Sequence, residues 1–497
     1  MTPKDMMVID TNAEELGVLK SSLMENAGRS IAEYIIANSK PCKVVVYAGS
    51  GGNGGDGFVA ARHLINHGFE VEIFLLTRPE LIKSDEALEN WKILQNIHPE
   101  ISPLKINMIN DSSEIKKVDG TIIIDALLGT GIQGNIKEPL SSTIKLINEY
   151  DGLKIAVDVP SGLNPLNGEV HDKAVKADVT ITFHRAKKGL KNSDDYVGKL
   201  VVCDIGIPKE AEIFTGKGDL LRLKNPSKYS HKGNNGRVLI IGGSKNYSGA
   251  PALAGMAALK SGVDMVYIAA PEIVASDIRS YAPDFIVRTL SKNYISIDDV
   301  EPILKLEESV DSVLIGCGLG RDEETINAVR KILSQLRKPL VFDADALHML
   351  DKKTILSMKN NKKQVVLTPH ANEFKALTGQ KIPYKLEDKI QTVKTFSEDL
   401  NAVILLKGVF DVISNGRKFR LNRTGNQGMT VGGTGDCLAG LAAGIMAQGN
   451  TPFESAYLAA FINGNAGDLA FKEFGYNFTA SELIKFIPQV FMKSISQ

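Results

Sequence analysis

The 497-residue sequence has no charge of one sign in excess: Lys and Arg number 58, and so do Asp and Glu. That balance announces no polyanionic partner. The basic pairs Lys187-Lys188 and Lys362-Lys363 are short and read as solvated surface, so nucleic acid is not an expected partner. Cysteine is scarce. Cys42, Cys203, Cys317 and Cys437 are scattered without a CxxC pair, which argues against a disulfide framework or a zinc site and suits a reducing compartment. No apolar run approaches the ~18 residues of a membrane helix, so no membrane partner is expected. Residues 1–18 carry Asp5, Asp10, Glu14 and Glu15, acids that a secretory signal would not hold. The expected location is cytoplasmic.

What the sequence does have is a long alternation of short apolar runs with helix-like stretches, which predicts α/β architecture with mainly parallel strands. Candidate strands are 43–47, 71–76, 121–125, 154–158 and 179–183, and then 237–241, 265–269, 312–315, 339–343, 364–367, 403–406 and 411–414. The length calls for two or three domains. Residues 209–235, rich in Lys, Gly, Asn and Ser, place a boundary near 215–225, giving domains 1–220 and 221–497. The halves carry different glycine motifs, which reads as fusion rather than duplication.

The most informative stretch is Val431-Gly432-Gly433-Thr434-Gly435-Asp436-Cys437, followed by an apolar, helix-like segment. Small residues permit a tight turn, and the first N–H groups of a following helix attract an anion. A carboxylate there would repel a phosphate that is merely held. It makes sense where phosphate is transferred and Asp436 serves as the base beside a reacting hydroxyl. The plainer alternative is a glycine-rich helix entry capped by Asp.

In the first half, the strand at 43–47 runs into Ala48-Gly49-Ser50-Gly51-Gly52-Asn53-Gly54-Gly55-Asp56-Gly57, with a helix expected over 58–67. Gly49, Gly51 and Gly54 satisfy GxGxxG. Yet Asp56 falls where a pyrophosphate would sit, and the next strand ends in Thr77-Arg78 without a ribose-binding acid. Two further strands end in acids, at Asp125 and at Asp158-Val159-Pro160-Ser161. Ligands of an open parallel sheet bind beyond the carboxyl ends of its strands. Asn53, Asp56, Asp125, Asp158 and Ser161 converge there on this reading, and crowded carboxylates call for a cation or a shared proton. Asn and Ser oxygens beside one carboxylate suit a hard monovalent ion. The alternative is that each acid caps a helix.

Met24-Glu25-Asn26-Ala27-Gly28-Arg29, the 49–57 loop, the 125–131 segment and Asp158-Val159-Pro160-Ser161-Gly162-Leu163 together resemble the NAD(P)H-hydrate epimerase domain, over roughly residues 1–215. The resemblance implies a Rossmann-like three-layer fold. It also implies substrate contacts at Gly52, Asn53, Gly54, Gly55 and Asp56, at Gly129, Thr130, Gly131, Ile132, Gln133, Gly134 and Asn135, and at Asp158. It implies K+ held by Asn53, Asp125 and Ser161. Gly52 stands where the family has a second Asn, which removes a side-chain donor.

In the second half, Gly242-Gly243-Ser244, Tyr247-Ser248-Gly249-Ala250-Pro251, Gly316-Cys317-Gly318-Leu319-Gly320, Asp343-Ala344-Asp345, Thr368-Pro369-His370-Ala371-Asn372-Glu373 and Lys407-Gly408 are expected to gather at one edge of a parallel sheet. Several have plain readings: His370 an ordinary turn residue, Lys407 surface charge, Asp343 and Asp345 a helix cap or groups that place Mg2+, Cys437 a packed thiol or an activated one. Their order resembles the ribokinase-like superfamily and, within it, the ADP- or ATP-dependent NAD(P)H-hydrate dehydratases, over about 225–497. The resemblance implies hydrated cofactor near Ala252, Gly318, His370 and Asp436. It implies ADP or ATP with Mg2+ along Lys407, Gly408, Val409, Phe410 and Asp411 and at Gly435, with a lean towards ADP.

Joined, the two resemblances imply a bifunctional repair enzyme: NADHX and NADPHX are epimerised with Asp158 as acid–base, then dehydrated at Asp436 at the expense of ADP or ATP. A homo-oligomer is the implied assembly. Two other readings stay open at this point: a small-alcohol or vitamin kinase with a regulatory nucleotide-binding N-terminal domain, and a non-catalytic first half.

Overall fold

Val44 and Val46 pack into one apolar core and Val45 and Tyr47 into another, so the first strand is covered on both faces. Such strands read as continuous apolar runs, and parallel sheets require that cover. The same alternation recurs later, with Val238 and Ile240 on one side and Leu239 and Ile241 on the other. The computed structural model describes residues 1–115, 121–129, 134–350, 354 and 363–495. It divides into two compact units, Met1–Ala211 and Glu212–Gln497. The division lies at the N-terminal end of the 209–235 segment.

Among the described residues the first unit holds seven strands: β1 (Lys43–Ala48), β2 (Glu70–Leu75), β3 (Leu104–Met108), β4 (Ile122–Ala126), β5 (Leu153–Val157), β6 (Val179–Phe183) and β7 (Lys199–Cys203). Their spatial order is β3-β2-β1-β4-β5-β6-β7, all parallel. The chain winds outward from β1 in one direction and from β4 in the other. The switch point therefore lies between β1 and β4, where the Gly49 turn and Asp125 stand side by side; Gly49 N–H donates to Ala126 O at 3.0 Å.

The second unit holds β8 (Arg237–Ile241), β9 (Met265–Ala270), β10 (Phe285–Thr289), β11 (Ser312–Ile315), β12 (Leu340–Phe342), β13 (Val365–Leu367), β14 (Val403–Leu406), β15 (Asp411–Ser414) and β16 (Phe419–Asn422). The order is β10-β9-β8-β11-β12-β13-β14-β15-β16, parallel up to β14 and antiparallel thereafter. Its switch point lies between β8 and β11. The α/β class with parallel-dominated sheets is thus as the sequence implied.

Two helices begin earlier than the apolar pattern suggested. One spans Gly52–Ile65, so Asn53 and Asp56 lie in its first turns and not in a loop. Glycine is tolerated there because the helix sits against the sheet: a Cβ on Gly57 would stand 2.9 Å from Ala126 Cβ, and one on Gly54 2.2 Å from Gly49 O. The other spans Thr434–Ala447, which brings Asp436 inside its first turn. That helix packs closely on the helix Gly249–Lys260: a Cβ on Gly440 would lie 2.1 Å from Ala254 O.

Candidate active sites

In the first unit, Asp125 at the end of β4 is buried and fully engaged by the loop after β5. Ser161 Oγ donates to its Oδ1 at 2.6 Å and Ser161 N–H to its Oδ2 at 2.8 Å. Ser161 Oγ in turn accepts from Leu128 N–H at 2.9 Å. Asn53 joins them from the helix, its Nδ2 donating to Val157 O at 2.7 Å and to Leu128 O at 3.4 Å. Its Oδ1 faces Gly129, where an added Cβ would lie 2.7 Å away. Asn53, Asp125, Ser161 and Gly129 therefore form one cluster. Burial pushes the Asp125 carboxyl up to about 6, against the hydrogen bonds from Ser161 and Leu127. None of these acids caps a helix.

Asp158 follows β5 with φ +62°, in the left-handed region that side chains seldom adopt. Its Oδ1 accepts from Thr182 Oγ1 at 2.9 Å and from the Lys187 ammonium. Lys187, 1% exposed, also donates to Thr182 Oγ1 at 3.1 Å and Phe183 O at 3.3 Å. It is not solvated surface, as its place in a Lys-Lys pair suggested. The loop after β6 folds this side chain back onto Thr182 and Phe183 at the end of the strand. Asp56 and Asp10, the latter on the helix Pro3–Glu15, complete the group. Burial raises Asp56 well above the carboxylate range, and Asp158 adds to the effect. Burial likewise raises Asp10 to about 6, with Lys187 opposing. No pattern around Asp10 in the sequence marks it.

Gly54 and Gly55 are buried packing positions, whereas Gly52 is exposed with nothing within 4 Å of an added Cβ, so an Asn would fit there. Gly134 and Asn135 are exposed. Thr130, Gly131, Ile132 and Gln133 lie outside the described residues.

In the second unit, the loops after β8 and β11 meet: Ser244 Oγ donates to Gly318 O at 2.8 Å. Gly318, at φ +67°, packs under Tyr247, where an added Cβ would come within 2.6 Å of Tyr247 Cβ. Asp343, after β12, accepts from Thr368 Oγ1 at 2.7 Å and from Lys407 Nζ at 2.9 Å. Lys407 also stands 3.8 Å from Glu373 Oε2. Burial opposes its charge, but Asp343 and Glu373 outweigh that and the ammonium is held above its ordinary range. Lys407 is therefore an internal charge and not a surface one, and Nζ lies 3.5 Å from where a Gly435 Cβ would be. Asp345 accepts from Gly320 N–H at 3.0 Å and Arg321 Nε at 2.9 Å, so neither Asp caps the short helix Asp345–Met349.

Gly433, at φ +98°, is the N-cap of the helix Thr434–Ala447 and offers no side chain to it. First-turn N–H groups of an uncapped helix have no intrahelical acceptor and face outward as anion donors. Asp436 sits among them. Burial and Asp343 push its carboxyl up to about 7, with the Cys317 thiol and Lys407 pulling the other way. The neighbouring Cys437 thiol is fully buried and raised by that burial, so packing prevails over activation by the helix terminus.

His370 caps the helix Ala371–Thr378, its Nδ1 accepting from Asn372 and Glu373 N–H at 3.1 and 3.2 Å. Nδ1 is thereby unprotonated, and the tautomer carries its proton on Nε2, 3.3 Å from Glu373 Oε1. The Ala252 side chain is 1% exposed and belongs to the core. Gly408, Val409 and Phe410 form an exposed turn, with Asp411 anchoring Gly408 N–H at 3.0 Å and Phe410 edge-on to Phe214. Lys363, read from sequence as surface, is buried with Nζ donating to Leu333 O at 2.6 Å.

Two doubly wound α/β units, each with carboxylates and a lysine gathered beyond the carboxyl ends of its strands, define a two-site enzyme acting on small molecules. Two family models match the chain, that of NAD(P)H-hydrate dehydratase over residues 238–489 and that of the YjeF-related protein N-terminus over residues 20–189. The bifunctional NAD(P)H-hydrate repair enzyme Nnr of Methanothermobacter thermautotrophicus is 50% identical over 99% of this chain and 95% of its own length. Its namesake from Archaeoglobus fulgidus is 41% identical over 99% and 98%. The ADP/ATP-dependent NAD(P)H-hydrate dehydratase of Bacillus subtilis, co-crystallised with ATP/Mg2+, is 29% identical over 57% of this chain and 98% of that one, with a TM-score of 0.49. The chain belongs to the bifunctional NAD(P)H-hydrate repair enzymes, with an epimerase module followed by a nucleotide-dependent dehydratase module. The vitamin-kinase and non-catalytic readings are not favoured.

Proposed function

We propose that the second unit dehydrates the S epimer of NADHX and NADPHX with ADP or ATP, and that the first unit interconverts the R and S epimers. The observation that carries this reading is Asp436: a carboxyl pushed up to about 7, in the uncapped first turn of a helix and beside Lys407. A base poised near neutrality is suited to taking a hydroxyl proton. Asp436 removes the proton from the substrate hydroxyl, whose oxygen attacks the terminal phosphoryl group. First-turn N–H groups near Gly435 and the Lys407 ammonium stabilise the charge that develops. The ring nitrogen lone pair then expels phosphate, and loss of a proton from the adjacent carbon restores the reduced ring. The sum is hydrated cofactor plus ADP to reduced cofactor, AMP and phosphate. Lys407 already occupies Asp343 Oδ1, which favours Mg2+ arriving on the nucleotide's phosphates.

In the first unit, Asp158 serves as the acid–base of epimerisation. The oxygen donors of Asn53, Asp125 and Ser161, with a single carboxylate among them, fit a hard monovalent cation by donor chemistry. K+ held there would counter the buried charge of Asp125 and fix the loop at Gly129. The same reading carries a cytoplasmic setting, supported by four cysteines that remain free, and a homo-oligomer. No helix among the described residues is long and apolar enough to cross a membrane. The test is one assay of mixed NADHX epimers with ADP or ATP, following reduced-nicotinamide absorbance and free phosphate. Equimolar phosphate and reduced cofactor, with both epimers consumed, is expected; phosphate retained on the product rejects the reading.

A further inference from the structure

Cys317 has entered so far only through its effect on Asp436, yet it lies within the second site. It follows β11 between Gly316 and Gly318, both with positive φ, at +136° and +67°. Gly316 is held there by crowding: an added Cβ would come within 1.7 Å of Asp343 O. The turn directs the thiol away from solvent, and Cys317 is 0% exposed. Its Sγ and carboxylate oxygens of Asp343 and Asp436 all lie within 4.8 Å of one another. Asp343 Oδ1 is already taken by Thr368 Oγ1 and Lys407 Nζ, which leaves the Asp436 carboxylate as the acceptor open to the thiol.

We propose that Cys317 is a positioning residue for dehydration: its S–H donates to the Asp436 carboxylate, orienting it and favouring the ionised form that accepts the substrate's proton. This rests on Asp436 being the base. The donor role requires a protonated thiol, and the surroundings ensure one. Burial, Asp436 and Asp343 all raise the thiol far above its ordinary value, with Lys407 opposing. For the same reason the sulfur is a poor nucleophile, which removes covalent catalysis and easy oxidation as reasons for a cysteine here. The ionisable groups that face Asp436 are Cys317 after β11, Asp343 after β12, Lys407 after β14 and Cys437 on its own helix; Glu373 acts through Lys407. Of these, Cys317 and Lys407 favour its charge.

The experiment is the pH profile of kcat for dehydration of NADHX at saturating nucleotide, with Cys317→Ala and Cys317→Ser in the full chain. Removal of the donor moves the acidic limb of Cys317→Ala upward by about half a pH unit or more. Cys317→Ser, which keeps a donor, returns the limb towards the parent. A limb at the parental pH in Cys317→Ala overturns the proposal, whatever the change in maximal rate. An equal shift in Cys317→Ser also overturns it, because volume and not hydrogen bonding would then be the cause. If Cys317→Ala does not fold, Cys317→Val, which lacks the donor and keeps bulk, takes its place with the same readout. Turnover by Asp436→Asn would reject the base itself; an inactive Asp436→Asn with an unmoved limb rejects only the role of Cys317.

Discussion

Lys187, almost wholly buried, hydrogen-bonds through its ammonium to the Asp158 carboxylate, which a left-handed backbone conformation turns towards it. Removing one member of such a pair leaves an uncompensated charge in a low-dielectric setting. Lys187→Met is expected to destabilise the chain by about 3 kcal/mol in urea unfolding and to abolish epimerisation. Adding Asp158→Asn removes the stranded charge and recovers most of the stability without restoring activity. A double variant as unstable as Lys187→Met would show that packing, and not charge, is what Lys187 supplies.

Lys407 couples Asp343 and Glu373 to the mouth of the helix that carries Asp436. Lys407→Met leaves two buried carboxylates facing each other and removes a cation from the phosphate site. A rise of about tenfold or more in KM for the nucleotide is expected, equivalent to about 1.4 kcal/mol, together with a lower midpoint in thermal unfolding. Unchanged KM would place the nucleotide elsewhere.

Asp436 has opposite effects on activity and stability. Asp436→Asn should cut kcat for dehydration by about a thousandfold and leave nucleotide binding nearly intact by calorimetry. Its carboxyl is pushed up to about 7 from an ordinary value of 3.8, so the folded chain binds this proton more tightly than the unfolded one. That contribution to stability is fully present below 3.8 and is lost as pH rises through 7. Asp436→Asn, which cannot ionise, should therefore gain stability on the order of 2 kcal/mol relative to the parent at pH 8, a gain that fades towards pH 4. A constant difference across pH would contradict the raised value.

Asn53, Asp125 and Ser161 give a prediction for metal removal. Exchange of K+ for tetramethylammonium should lower epimerisation several-fold while dehydration of the S epimer at saturating nucleotide is unchanged. Coupled and uncoupled assays on the separated epimers distinguish the two. Ser161→Ala should abolish the K+ response, since it removes the hydroxyl that joins Asp125 to the Leu128 loop.

The strands that the sequence marked are those buried on both faces. β3 and β10 and β7 and β16, the outermost strands of the two sheets, escaped because an edge needs cover on fewer sides: Lys105, Asn107 and Lys199 interrupt the apolar signal. Helix starts were placed late because glycines were taken as breakers, whereas Gly54 and Gly57 are required by close approach to the sheet. Lys187 was hidden for a different reason. A lysine beside a lysine looks like surface until the loop after β6 is known to fold it back onto Thr182 and Phe183.

Sequence alone determined the class of each half, the order of its glycine turns and the acids at its strand ends, because these depend on residue type and local spacing. Only the tertiary structure decided which charges share a site. Asp10 with Asp56, Lys187 with Asp158, and Cys317 with Asp436 come from separate segments, and only the folding of helices and loops onto the strand ends brings them together. Burial then sets their protonation, a property of the surrounding packing that no single stretch of chain encodes.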